Sequence, residues 1–405
     1  MDHKPTLTDT LEFPTNSMIP RSFLGVGIVG LIATAAGYFL DSQQFFFSYL
    51  VSFAFFTGLG ISGILMIMLH HITASKWGVV VRRIPEAMAS NMWIWAIAVI
   101  PVILALFSHD VFHWTHDGIA DPDSENYDKI VKGKLPYLNT TFFIIRQVIY
   151  FAIWGYLGRR LYQYSVQMDK TGDWSIFNKM KKVSAVGIPL LGLSIAFASF
   201  DWLMSLDPHW FSTMFGVYYF AISFQAFWAI MILIVFLLQR QGLLKNTITR
   251  AHVYDLGAWL FAFTVFYAYI AFSQFMLIYY ANLPEETLWY YHRMEGGWQY
   301  IMYGMLAFRF VLPFFVLLNR SAKLNRTVLG FVASVVLIMH FLEIYWIANP
   351  MLNEHGVHFN WMDFTAFIGL GGIFLGLFFN KFRKEAMIPK NDPKLDDCLA
   401  KTFHN

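Results

Sequence analysis

Ten stretches of this chain are each about 20 residues or longer and almost free of charge, which leaves very few architectures open to it. They run over 21–40, 46–70, 89–107, 138–157, 183–204, 212–238, 255–280, 297–318, 327–348 and 361–380. A run of that length matches the hydrocarbon thickness of a bilayer when it is helical. Only helices and closed barrels satisfy their own backbone polar groups in lipid. The runs are far longer than the ~10 alternating residues of a barrel strand. The expectation is therefore an all-α integral membrane protein with ten transmembrane helices. Composition agrees: Asp, Glu, Lys and Arg make up 14% of the 405 residues, against ~25% in ordinary soluble domains. Residues 1–20 are mostly polar and lack a basic region followed by a small-residue cleavage site, so the first helix is expected to be retained.

Orientation follows from the basic residues. The N-terminal segment through Arg21, the loops 71–88, 158–182, 239–254 and 319–326, and the tail 381–405 hold 23 of the 29 Lys and Arg residues. The alternate segments 41–45, 108–137, 205–211, 281–296 and 349–360 hold 4. Both termini are thus expected to be cytoplasmic. A net charge of +3 with no basic arm points to no nucleic-acid partner. The single cysteine, Cys398 in the polar tail, rules out a disulfide framework within the chain and any thiolate-held zinc or iron–sulfur centre.

The largest outer loop, 108–137, is acidic and carries His109, His113 and His116 at spacings of four and three. Such spacing would place them on one helical face if the loop were helical. Without cysteine support the favoured reading is a solvated or partner-covered loop, and no metal is assigned.

The two basic residues not yet counted, Arg146 and Arg309, lie inside spans. Their positions suggest an internal repeat, in which helices 2–5 and 6–9 are two copies of a four-helix unit. Each arginine falls in the third helix of its unit. The fourth helices end in FDWLMSLDP and LEIYWIANP, where Asp201 precedes Pro208, and Glu343 precedes Pro350, by seven residues. An even number of helices per unit gives both copies the same orientation, related by a pseudo-twofold axis along the bilayer normal. The division is then 1–45 for the N-terminus and a flanking helix, 46–211 and 212–360 for the two bundles, and 361–405 for the last helix and tail.

Charge at mid-bilayer costs at least ~2.5–3.5 kcal/mol per residue and normally faces protein or water. The simplest arrangement pairs Arg146 with Asp201 and Arg309 with Glu343. Such pairs either lock bundles together or move protons, and the second role is favoured. His340 and Glu343 are three apart and share a helical face, so the histidine can relay a proton to or from the carboxylate. Ser273 and Gln274, in the outer half of the seventh helix, are placed to order water, and Tyr267 and Tyr269 on the same helix either join them or belong to an aromatic belt. Asp255 begins the same helix at the cytoplasmic end, and Asp363 begins the tenth at the outer end. A ladder of two b-type haems would need facing histidine pairs. Only His340 lies well inside a span, and His70 and His71 sit at an end, so the chain carries no electron wire of its own.

The stretch from Asp255 to Arg293, with FSQ followed by YANLPEET, and that from Phe200 to Phe220, FDWLMSLDPHWFSTMFGVYYF, resemble the membrane subunits of alternative complex III. These belong to the wider polysulfide-reductase membrane-anchor (NrfD-like) family. The resemblance covers essentially the whole chain and is to the shorter of the two related subunits in such complexes. It implies a bacterial cytoplasmic membrane protein within a quinol:cytochrome c, or quinol:electron-acceptor, oxidoreductase. The substrate of the whole complex would be menaquinol or ubiquinol. The implied partners are the longer homologous subunit, an iron–sulfur subunit, multihaem and monohaem cytochrome c subunits, small membrane subunits and in some cases a terminal oxidase. Haem c and iron–sulfur clusters would belong to those partners. The first bundle lacks an intramembrane histidine, which favours a proton-conducting or structural role over direct quinol oxidation. An independent secondary transporter with parallel repeats is the reading from another class.

Overall fold

A computed structural model describes residues 9–353 and 356–401. Among them are ten helices long and apolar enough to cross a membrane: α1 (Ile19–Tyr38), α2 (Ser42–Thr73), α3 (Val79–Ser108), α4 (Thr140–Thr171), α5 (Ser175–Leu206), α6 (Phe215–Arg240), α7 (Arg250–Ala281), α8 (Trp298–Leu318), α9 (Arg326–Met351) and α10 (Trp361–Phe382). The chain is a multi-pass membrane protein. Strands are absent from the described residues, where the one extended pairing is an isolated bridge between Glu12 and Ala386.

The helices are not equivalent. The apolar window of α2 is 94% buried and that of α6 78%, whereas those of α1 and α8 are each 22% buried. The first two are therefore surrounded by this chain, whereas the second two leave most of their surface to lipid or to another protein. Around this central pair the neighbours run in two closed circuits. α2 packs on α3 and α5, α3 on α4, and α4 on α5, while α6 packs on α7 and α9, α7 on α8, and α8 on α9. The circuits meet where α2 and α5 lie against α6 and where α2 touches α9.

α1 lies outside both circuits and packs mainly on α10. The contact is made by glycine. A Cβ added at Gly372 would sit 2.5 Å from the Gly27 Cα, and one at Gly30 would sit 2.7 Å from the Gly369 Cα. Small residues let two helix backbones approach closely in lipid, where the hydrophobic effect cannot hold them together.

The sequence placed the start of the third span at 89 and left 71–88 as a loop. Instead, Val79–Ala89 is helical and every residue in it is buried. Its charges disguised it. Arg82 bonds Glu86 at 2.9 Å and Asp392 at 2.6 Å, and Arg83 bonds Glu86 at 2.8 Å and also Asp169. Each charge is neutralised by another, so a stretch of low hydropathy sits in the interior. The tail that supplies Asp392 is itself embedded, with Met387, Ile388 and Cys398 at 0% exposure. Cys398 thus lies in a folded cap rather than in a free polar tail.

Candidate functional site

Two buried clusters of polar side chains sit in corresponding places of the two circuits. In the first, Arg146 lies near the start of α4 and Asp201 near the end of α5. The Arg146 Nε donates to Asp201 Oδ2 at 2.9 Å and Nη2 donates to Oδ1 at 2.8 Å. Tyr150 donates its hydroxyl to Asp201 Oδ2 at 2.9 Å, and the Arg146 Nη1 reaches the Tyr137 carbonyl at 2.8 Å. The Tyr137 ring covers the guanidinium at 3.9 Å. Gln147 leans on the same carboxylate and accepts from the Trp202 indole at 2.8 Å. The acid is thus held by several donors at once.

In the second cluster, Arg309 of α8 meets Glu343 of α9. Backbone chemistry helps to place the arginine. Pro313 has no N–H, so the Arg309 carbonyl cannot receive the usual helical hydrogen bond from it. Met305–Val311 relaxes into a π-helical segment, a form that recurs at functional sites. The freed carbonyl is approached by Gln225 Nε2 at 3.3 Å, and Gln225 Oε1 accepts from the Arg309 Nε at 2.8 Å. Arg309 Nη1 bonds Glu343 Oε2, and Tyr218 donates its hydroxyl to Glu343 Oε1. Tyr267 lies with its ring 4.6 Å from the guanidinium carbon. Arg309 Nη2 donates to the Ile222 carbonyl at 2.8 Å and approaches His340 Nδ1 at 3.3 Å. Arg309, His340 and Glu343 are all fully buried. The other histidine nitrogen, Nε2, has no protein partner, and the ring packs on Phe55 of α2 at 4.8 Å between centroids.

Beside this second cluster is a cavity of about 620 Å³ lined by Tyr218, Tyr267, Gln274, Trp289, Tyr290 and Met305, among others. It lies between α7, α8 and the short helix Pro284–Tyr291. Arg293 ties that helix to α9, donating to the Trp289 carbonyl at 2.9 Å and to the Ile347 carbonyl at 2.6 Å. Gln274 accepts from Ser212 at 3.2 Å and forms part of the wall.

The structure therefore gathers Arg309, Glu343 and His340 in one group, Arg146 and Asp201 in another, and Gln274 in the neighbouring cavity. It does not bring in Ser273 or Asp255. Ser273 returns its hydroxyl to the Tyr269 carbonyl of its own helix at 2.6 Å, because residue 273 faces away from residue 274 on a helix. Asp255 bonds Lys401 of the tail, and the twelve residues separating it from Tyr267 put it roughly 18 Å along the helix axis. Tyr218, Gln225, Tyr150 and Gln147 escaped sequence reading, since uncharged polar residues scarcely alter a hydropathy profile.

The three loop histidines do not share a helical face. His113 lies in a short turn of 3-10 helix, His113–Thr115. His109 meets Thr115 at 3.1 Å, and His116 meets the His109 carbonyl at 2.9 Å. Among the described residues no group of three or more His, Cys, Asp or Glu side chains is arranged to hold a metal ion. No family model matches the chain, and no curated protein matches it at a significant level.

Proposed function

We propose that this chain is an integral membrane subunit of a respiratory quinol:cytochrome c, or quinol:electron-acceptor, oxidoreductase of the alternative complex III kind. In this reading it supplies a proton path and a structural core, and the redox centres belong to its partners. Residues 46–211 and 212–360 are two four-helix bundles, and the chain lies in the bacterial cytoplasmic membrane with both termini cytoplasmic. The two closed circuits of helix contacts support the bundles. So does the recurrence of an arginine–acid pair between the third and fourth helix of each.

The observation that carries the proton path is the surroundings of Glu343. Burial and the Arg309 charge act on the carboxylate in opposite senses, so a small movement of the guanidinium is enough to change which state is favoured. Tyr218 is hydrogen-bonded to one carboxylate oxygen and also lines the cavity. A proton released from Glu343 therefore has a hydroxyl through which to reach water there. His340 adjoins Arg309 on the other side, with one ring nitrogen free to pass a proton on. Asp201, with Tyr150, is the counterpart in the first bundle.

Replacing Glu343 by Gln keeps the shape and removes the titrating group. The variant complex is expected to be less stable, because Arg309 loses its counter-ion, but once assembled to oxidise quinol while translocating fewer protons per electron than the parent. Unchanged proton stoichiometry in the variant would refute the path. A parent that moves no protons beyond those quinol releases would make the pairs structural.

The cavity favours a second reading, in which this subunit binds quinol itself. Its volume falls within the ~300–1,000 Å³ of ligand pockets, and its wall is aromatic with a few convergent polar groups. A quinol ring there would have the Tyr267 and Tyr290 hydroxyls and the Gln274 amide within the same wall. Photolabelling of Tyr290 or Met305 by an azido-quinone would support this reading, and labelling confined to other subunits would exclude it.

A further inference from the structure

A pocket of about 510 Å³ lies between α3, α4 and α10 at the basic-rich end of the molecule, lined by Ser90, Trp93, Arg159, Tyr162, Gln163 and Lys381, among others. Three helices pass from apolar to polar sequence at this level. α4 does so after Leu157, α10 after Phe379, and α3 on its other side, where the charged segment gives way to Met92 and Trp93. The pocket therefore sits at the membrane surface. Arg159 and Lys381 share it, and their charges act on one another. Among the described residues neither forms an ion pair, although Arg82, Arg83, Arg146 and Arg309 each have a carboxylate. The one acid in the lining, Glu385, pairs with Lys170 at 3.2 Å and attracts Lys381 only from beyond ion-pair distance. Each of the two cations instead lies on an aromatic ring, Arg159 at 5.4 Å from Trp93 and Lys381 at 4.5 Å from Tyr162.

Below the pocket, α3 presents Trp93, Ile97, Ile100 and Leu104 at helical spacing, all of them exposed. This is an apolar track running from the two cations into the lipid. Above it, Gln163 and Gln167 continue the α4 face that begins at Arg159.

We propose that this pocket binds the headgroup of an anionic phospholipid. The phosphodiester would lie between Arg159 and Lys381, the acyl chains along Trp93, Ile97 and Ile100, and polar headgroup atoms against Gln163 and Gln167. A phosphate supplies the negative charge the two cations lack, and an acyl chain explains why the apolar track starts at the same place. Basic pockets between helices at the cytoplasmic surface suit such lipids, at about 1 kcal/mol per cation. The inference is independent of any quinol chemistry.

The test uses the full protein with whatever subunits accompany it. It is exchanged into nanodiscs of equal phosphatidylglycerol and phosphatidylcholine, and the lipid kept on release into detergent is read by native mass spectrometry. Phosphatidylglycerol is expected to be retained in preference, by a factor on the order of ten or more. The double variant Arg159→Gln/Lys381→Gln should lose the preference, and Arg159→Lys/Lys381→Arg should keep it. Arg160→Gln should also keep it, because Arg160 lies on Tyr164 at 4.4 Å and outside the pocket. Lys381→Gln alone serves if the double variant does not accumulate, and should weaken the preference. Equal retention of the two lipids, an equal loss with Arg160→Gln, or displacement of the lipid by millimolar inorganic phosphate would overturn the proposal.

Discussion

Arg309 and Glu343 are each enclosed by protein, so neither can be removed alone without stranding the other charge. Breaking one partner of a buried pair costs ~3–5 kcal/mol, whereas replacing both with apolar residues is often neutral. Arg309→Met is therefore expected to lower the melting temperature markedly, and Arg309→Met/Glu343→Leu to restore most of it, as read by thermal unfolding in detergent. If the double variant melts as low as the single one, the pair is not the source of the loss. A second residue-scale prediction concerns Asp9, which accepts from the Asn246 and Thr247 backbone N–H groups at 2.7 and 2.8 Å. Burial tends to raise its carboxyl, but the bonds from Thr247 and Asn246 outweigh burial and hold it below its ordinary 3.8. A carboxyl lowered by folding adds stability above its unfolded value, and that stability is lost as pH falls through the folded value. Acidification below the ordinary carboxylate range should thus deprotect the amides of 246 and 247 in hydrogen exchange, and Asp9→Asn should do so at neutral pH. Protection unchanged by Asp9→Asn would show that the anchor lies elsewhere. At this scale the sequence made the charged residues visible, because Arg146 and Arg309 lie well inside apolar runs and each needs an acid. Tyr218 and Gln225 were invisible because a hydroxyl or amide costs so little in a 20-residue average.

Elements were legible where hydropathy alone decides, and their ends were not. α2 and α4 run on to Thr73 and Thr171, beyond the residues 70 and 157 where the apolar runs stop. Val79–Ala89 went unread as helix because its charges are cancelled by residues 169 and 392, which no local window contains. Glycine at the α1–α10 crossing gives an element-scale prediction. Gly372→Leu should drive α1 away, since even a Cβ there overlaps Gly27. A cysteine pair at Thr34 and Thr365, whose hydroxyls meet at 3.0 Å across the same crossing, should cross-link readily in the parent and far less in that variant; equal cross-linking would mean the crossing tolerates bulk. The tail cap gives another. Burial pushes the Cys398 thiol up to about 11, and the Sγ donates to the Trp77 carbonyl at 3.2 Å. Because the thiolate is the reactive form, maleimide should leave Cys398 unlabelled at pH 7 until the protein is denatured. Rapid labelling of the native protein would mean that the cap opens.

For the whole molecule, the distribution of Lys and Arg predicts a topology, with both termini cytoplasmic, that the helix count alone does not. With Cys398 silent, cysteines introduced at exposed Lys76 and Ser321 should label only from the cytoplasm and one at Glu125 only from outside. Lys323, in the same loop as Ser321, is a poorer probe because it is buried over Tyr254 and Phe261. Each of the two polar clusters lies toward the end of the last helix of its circuit, α5 or α9, which the predicted topology would put in the outer half. A scaffold would need those charges only as fixed pairs, whereas a proton path needs Glu343 to change state. Infrared difference spectroscopy of the complex during turnover tests this most directly, through the carbonyl stretch of a protonated carboxylic acid. The account predicts a band that appears and disappears with turnover, shifts in D₂O and is missing in Glu343→Gln. A parent complex with no such band, or a variant that retains it, would contradict the account.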